Sequence, residues 1–153
     1  MWRAGSAEVL AALALAFGAL GCDPIQEIGP EQCDRSSTRD PLLYTEGVAE
    51  GGVYETSAWD EEWLEFRGGA YYRLEHHLGG TPRVVNSYLS FEPRGTHGGG
   101  AASQPAGNQV LVQCVDDSEL WIINDSCVDY YLRVVAMSPE NGAGGGGSGG
   151  GCP

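Results

Sequence analysis

The chain reads as an all-β protein, a single antiparallel β-sandwich or small barrel of about seven strands, and three observations predict it. Beyond residue 40, Val, Ile, Tyr and Trp gather in short runs of the kind that fit a pleated, half-buried surface. Turn chemistry separates the runs: Gly-Gly, Gly-Gly-Thr-Pro, Asp-Asp-Ser and Asn-Asp-Ser. No segment after the first 21 residues carries a long helical period.

The runs predict strands over 52–57, 63–67, 70–77, 83–92, 109–115, 119–124 and 128–137. Alternation assigns faces in three of them. Val85, Leu89 and Phe91 oppose Asn86 and Ser90. Tyr72, Leu74 and His76 oppose Arg73 and Glu75. Val128, Tyr130, Leu132 and Val134 oppose Asp129 and Arg133. The stretch 95–107 is Gly, Ala and Pro-rich, too poor in large side chains to form a core element, and predicts a loop. Spacing of this kind suits a sandwich, and no internal repeat points to a solenoid or propeller.

Residues 41–138 therefore form the domain. Residues 22–40 are polar, contain Pro24 and Pro30, and read as a tether. Residues 139–153 are dominated by Gly and read as a flexible, disordered tail.

The first 21 residues have a different character. Val9–Leu20 is a run of apolar side chains, about 18 Å long as a helix. That is short of the roughly 20 residues needed to cross a bilayer. One positive charge, Arg3, precedes it and small residues end it, the order of a secretory signal. Ala19-Leu20-Gly21-Cys22 then resembles the lipobox of bacterial lipoproteins, with Ala19 where that family prefers Leu and Leu20 where it prefers a small residue.

The resemblance implies cleavage between Gly21 and Cys22 and a diacylglycerol on the Cys22 thiol. It makes the expected address the bacterial cell envelope, inner or outer membrane left open, and the expected partner the membrane itself through the lipid. Ala19-Leu20-Gly21 also satisfies the Ala-x-Ala-like rule, so cleavage without lipidation is the alternative.

Five cysteines leave an odd thiol in an oxidising compartment. Lipidation of Cys22 leaves Cys33, Cys114, Cys127 and Cys152, an even set. A hairpin about Asp116-Asp117-Ser118 would put Cys114 beside its turn and Cys127 beyond its far end, roughly 20–25 Å away. A disulfide needs Cα atoms within about 7 Å. Cys33–Cys127 is accordingly the favoured pair, closing a loop of about 95 residues worth up to roughly 4–5 kcal/mol. Cys114 is then a buried free thiol or a partner for Cys152.

The net charge is −13, with eight arginines and no lysine. An acidic surface repels phosphate backbones and excludes nucleic acid as the expected partner. No phosphate loop, Gly-x-Ser-x-Gly elbow or HExxH motif is present. His76 and His77 are adjacent and point to opposite strand faces, so one metal cannot easily use both. Asp60-Glu61-Glu62 and Asp116-Asp117-Ser118-Glu119 offer oxygen ligands without the spacing of a calcium loop. The expectation is therefore no cofactor, no metal and no catalytic residues, with a hydrolase whose carboxylates assemble only in space as the remote alternative.

Two further segments carry resemblances. His76-His77-Leu78-Gly79-Gly80-Thr81-Pro82-Arg83-Val84-Val85 resembles an H-x-L-G-x-x-P-x-x-V hairpin of phage tail-fibre and receptor-binding β-sandwiches, implying a binding module. The stretch from Gly107-Asn108 through Asn124-Asp125-Ser126-Cys127 to Asp129-Tyr130-Tyr131-Leu132-Arg133 is similar to the ending of short uncharacterised Gram-negative lipoproteins.

Together these suggest a non-enzymatic envelope lipoprotein that packs against or binds another envelope protein. A carbohydrate-binding or adhesion module is the alternative, its surface glycan held on exposed aromatics. Trp63 and Tyr88, each flanked by polar neighbours on its strand face, are the candidates for that role.

Overall fold

The computed structural model describes residues 35, 39–97, 99–138 and 151–152. The expected signal segment, Gly21, Cys22, Cys33 and the Gly run 139–150 lie outside the described residues.

Within them the fold is all-β, with nine strands and no helix. The seven expected strands are present, trimmed at their ends: β3 (Val53–Glu55), β4 (Leu64–Phe66), β5 (Tyr71–Glu75), β6 (Val84–Ser90), β7 (Leu111–Val115), β8 (Glu119–Ile123) and β9 (Tyr130–Met137). Two more precede them, β1 (Leu42–Tyr44) and β2 (Val48–Glu50). Each is three residues long, too short for alternation to show.

The strands form two sheets. One has the order β1-β5-β8-β7. In the other, β9 is the axis. β6 pairs along one edge of β9, from Val84 opposite Met137 to Ser90 opposite Tyr131. The other edge is shared end to end: β4 takes Tyr130–Leu132 and β3 takes Val135–Met137, with β2 outside β3. Pairing is antiparallel except between β1 and β5, which run parallel. The expectation of a purely antiparallel sandwich is corrected at that edge.

Between the sheets, alternation builds the core. Tyr130, Leu132, Val134 and Ala136 of β9 face Tyr54, Phe66 and Leu89 from neighbouring strands and Leu74, Leu120 and Ile122 from the opposite sheet. Each large side chain so buried contributes about 1.5–3 kcal/mol. Phe91, expected on this face, lies past the end of β6 and is 72 % exposed. Val128, expected with Tyr130, lies before β9 and is also exposed.

The resembling segment His76–Val85 is not a hairpin here. β5 and β6 belong to different sheets, so the chain between them is an arch from one sheet to the other. Its parts still have structural work: Leu78 packs on the core and Pro82 is buried. Gly79 takes a positive φ of 73°, but the second left-handed residue is His77 rather than Gly80.

A buried amide ties one end of the sandwich. Asn124 follows β8 and is fully buried. Its Nδ2 donates to the carbonyls of Phe66, Arg67 and Val128 at 2.8–3.0 Å. Its Oδ1 accepts the backbone N–H and hydroxyl of Ser126. One side chain thus joins the β4–β5 turn to the β8–β9 connection. Gly68 packs so closely there that a Cβ would lie 2.8 Å from the backbone of Cys127.

Removing the amide would leave several buried backbone groups without partners, each costing about 1–3 kcal/mol. Asn124→Ala is therefore expected to destabilise the domain by about 2–4 kcal/mol, read as a lower urea midpoint. A change under about 1 kcal/mol would show that the knot carries little of the stability.

Candidate functional site

The outward face of β9 carries the first candidate surface. Tyr131, Arg133, Val135 and Met137 lie on it, and register places Tyr88 of β6 beside Arg133. Arg133, on the strand face opposite Tyr130, Leu132 and Val134, is only 2 % exposed. The connection between β3 and β4 covers it. Arg133 Nη2 pairs with Glu55 Oε1 at 2.7 Å, and its Nε donates to the Ser57 carbonyl at 2.9 Å. The guanidinium carbon sits 4.3 Å from the centre of the Trp59 ring, a cation–π contact. A buried guanidinium is tolerated only with such a complete set of partners.

Trp59 also meets Tyr88 and Trp63 edge to face, at centroid distances of 5.0 and 5.5 Å. Of the two aromatics expected to face outward, Tyr88 is half-buried within this cluster. Trp63 is 2 % exposed and is not an outward residue. Its backbone N–H donates to Pro93 O, and its ring packs against Gly95 so tightly that any Cβ there would collide with it. Sequence neighbours alone hid this, because Gly95 lies some thirty positions away. Among the described residues the exposed tryptophan is Trp59, 43 % exposed. Its location in a turn left no strand face on which to place it.

A second candidate lies at the end of the sandwich closed by Asn124. A pocket of about 160 Å³ opens there. Leu89, Phe91, Ala101, Ala102 and Tyr130 give it apolar walls. Ser90, Ser103 and Gln109 give it polar groups. The Gly/Ala/Pro-rich loop forms one wall because it is anchored: Leu89 and Ser103 exchange two backbone hydrogen bonds at 2.8 and 3.0 Å, adding a bridge to the free edge of β6. Phe91 lies against Tyr130 at 5.2 Å between ring centres. Gln109 Nε2 donates to the Tyr130 hydroxyl at 3.0 Å, and Gln109 Oε1 accepts the Ala106 N–H. Nothing in composition marked these residues as a group, since they come from four separate stretches of chain.

The opposite end of β8 holds the ionisable groups. Asp116 Oδ1 accepts the N–H groups of Ser118 and Glu119 and the Ser118 hydroxyl, closing the β7–β8 hairpin. Its Oδ2 accepts the Cys152 N–H at 2.9 Å. Cys152 is disulfide-bonded to Cys114. Residues 151–152 are thus fastened to the domain, and of the two readings open for Cys114 the structure has the pairing with Cys152. Cys127 is disulfide-bonded as well, and Cys33, its favoured partner, lies outside the described residues.

His76 completes this end. It is fully buried, the Leu78 N–H donates to its Nδ1, and its Nε2 donates to the Asp116 carbonyl at 3.2 Å. The ring is accordingly the neutral Nε2–H tautomer. Among the described residues no cluster of His, Cys, Asp and Glu has the arrangement of a metal site. Asp60, Glu61 and Glu62 are exposed, and the Asp116 carboxylate is committed to its turn.

Comparison with protein-family models, curated proteins and solved structures finds no match. The site must therefore be read from its own chemistry.

Its pH response follows from two shifts. Burial lowers the His76 pKa from 6.5, outweighing the hydrogen bond to Asp116 and the nearby carboxylates. The unfolded ring binds a proton more readily than the folded one. The stability tied to His76 is thus fully present above pH 6.5 and is lost as pH falls below 6.5 and through the lower folded value. For Asp116, burial acts to raise the pKa, but the N–H donors of Cys152, Ser118 and Glu119 outweigh it and hold the carboxyl at about 2 rather than 3.8. Its contribution is present above 3.8 and disappears as pH falls toward 2. Stability should decline in two acid steps, His76→Gln flattening the upper and Asp116→Asn the lower, as measured by denaturant unfolding across pH. A wild-type stability constant between about pH 7 and about pH 5 would refute the His76 assignment.

Proposed function

We propose that the chain is an exported, lipid-anchored, non-catalytic β-rich binding module of the bacterial cell envelope. The observation that carries the reading is the disulfide between Cys114 and Cys152. Bonds of this kind persist in oxidising, extracytoplasmic compartments. The disulfide at Cys127 adds to it, and the apolar run with a terminal cysteine at position 22 supplies the means of export and anchoring.

Lipid on Cys22 gives the anchor. Each buried methylene contributes about 0.8 kcal/mol, and two or three acyl chains hold a protein at a membrane where one is marginal. The acidic charge keeps the module soluble and off nucleic acid. The pocket at the Asn124 end joins apolar walls to hydroxyls and an amide, groups that orient a ligand. The clustered face around Trp59 and Tyr88 is the second place where a partner can dock.

Intact-mass measurement of the protein made in its bacterial host tests the anchor. The expected product begins at Cys22, carries diacylglycerol on that sulfur and an acylated amine, and has Cys114 and Cys152 oxidised. Cys22→Ser is expected to leave the protein out of the membrane fraction. An unmodified Cys22 sulfur in the processed protein, or an uncleaved leader, would overturn the proposal. Cys114→Ser with Cys152→Ser removes a cross-link spanning 38 residues, and the expected loss is up to about 4 kcal/mol in the chain-entropy model, read by denaturant unfolding.

A further inference from the structure

Building on the reading of the domain as a binding module, we infer that the pocket between Leu89, Phe91 and Tyr130 is a subsite for one ring of a neutral sugar. Size comes first. The pocket measures about 160 Å³, and a cavity of about 150 Å³ accepts a benzene ring. A single six-membered ring fits and a larger ligand must extend outside.

Polarity then chooses the kind of ring. Tyr130 is 7 % exposed, and its hydroxyl accepts a hydrogen bond from Gln109. No described residue accepts the hydroxyl's own proton, and Tyr130 lines the pocket, so that proton is available to a ligand. Ser103 is exposed and its hydroxyl is open to a ligand, and the Ser90 hydroxyl, which accepts the Glu92 N–H, keeps its proton to give. The site therefore offers several hydroxyl donors to oxygen atoms on a ligand.

A purely hydrocarbon ring would leave those donors unmet. A pyranose meets them with its ring and hydroxyl oxygens, and its C–H faces suit Phe91, which is 72 % exposed at the mouth, and the apolar wall at Leu89 and Ala102. No charged side chain lines the pocket, and the protein carries a net charge of −13. Neutral sugars are favoured over sugar acids or phosphates. The outward part of a glycan would continue past Phe91.

Saturation-transfer NMR on the oxidised protein, with glucose, galactose, mannose, N-acetylglucosamine and their disaccharides as probes, tests the inference. At least one probe is expected to bind at millimolar concentration through its ring protons. Tyr130→Phe keeps the packed ring and removes the donor, and should weaken binding about tenfold. Ala101 is exposed, so Ala101→Phe should close the mouth without disturbing the core and abolish the signal. Unchanged amide spectra in both variants establish that they fold. Absence of binding by every probe, survival of binding in both variants, or tighter binding of phenol than of any sugar would each overturn the inference. An unlipidated Cys22 would end the anchoring proposal and leave this measurement intact. Sugar-binding failure in a lipidated protein would do the reverse.

Discussion

β9 is buried on both faces, and the second sheet is arranged around that constraint. One face supplies Tyr130, Leu132, Val134 and Ala136 to the core. The other would meet water in an ordinary two-layer sandwich, yet Arg133 stands at its middle with almost no exposure. An unpaired guanidinium in that position costs several kcal/mol, so the covering chain must bring its partners with it. The connection from β3 to β4 does so through Glu55, the Ser57 carbonyl and the Trp59 ring. The same requirement explains why β3 and β4 lie end to end on one edge of β9: the chain between them leaves the sheet to cap Arg133 and then returns.

Sequence alternation revealed faces better than partners. Tyr72, Leu74 and His76 are inward as their spacing implies, and so are Tyr130, Leu132 and Val134. Period two says which side of a strand is apolar, but it does not say which sheet the strand joins. Turn chemistry has the same blind spot, since Gly79-Gly80-Thr81-Pro82 suits a hairpin and an arch equally. β1 and β2 escaped notice because three residues give no period and because Leu42 and Val48, at sheet edges, remain exposed. Their strand character comes from pairing with β5 and β3. Trp63 was expected outward, and the burial of Arg133 was not visible in its spacing, for one reason: each is covered by chain that arrives from elsewhere, Gly95 for the tryptophan and the Trp59 turn for the arginine.

Cysteine geometry could be reasoned further. The register of β7 with β8 sets Cys114 opposite Trp121, beside the Asp116 turn. That placement separates Cys114 from Cys127 along the hairpin. Which other sulfur reaches Cys114 could not be read, because a Gly-rich connection places its far end nowhere in particular. The structure supplies the missing term in Asp116: the carboxylate that closes the hairpin with one oxygen receives the Cys152 N–H with the other. Turn and disulfide hold each other in place.

The two ends of β8 consequently differ in chemical character. At its start, Asp116 and His76 respond to protons, and the disulfide responds to reductant. At its end, Asn124 does the tying with a neutral amide that does not titrate, beside the disulfide-bonded Cys127. β8 spans five residues, about 16 Å at 3.3 Å each. The pocket belongs to the amide end: Asn108 donates to the Asp125 carbonyl, and Gln109 to Tyr130. The groups lining that pocket are hydroxyls and an amide, whereas the titrating side chains gather at the hairpin end.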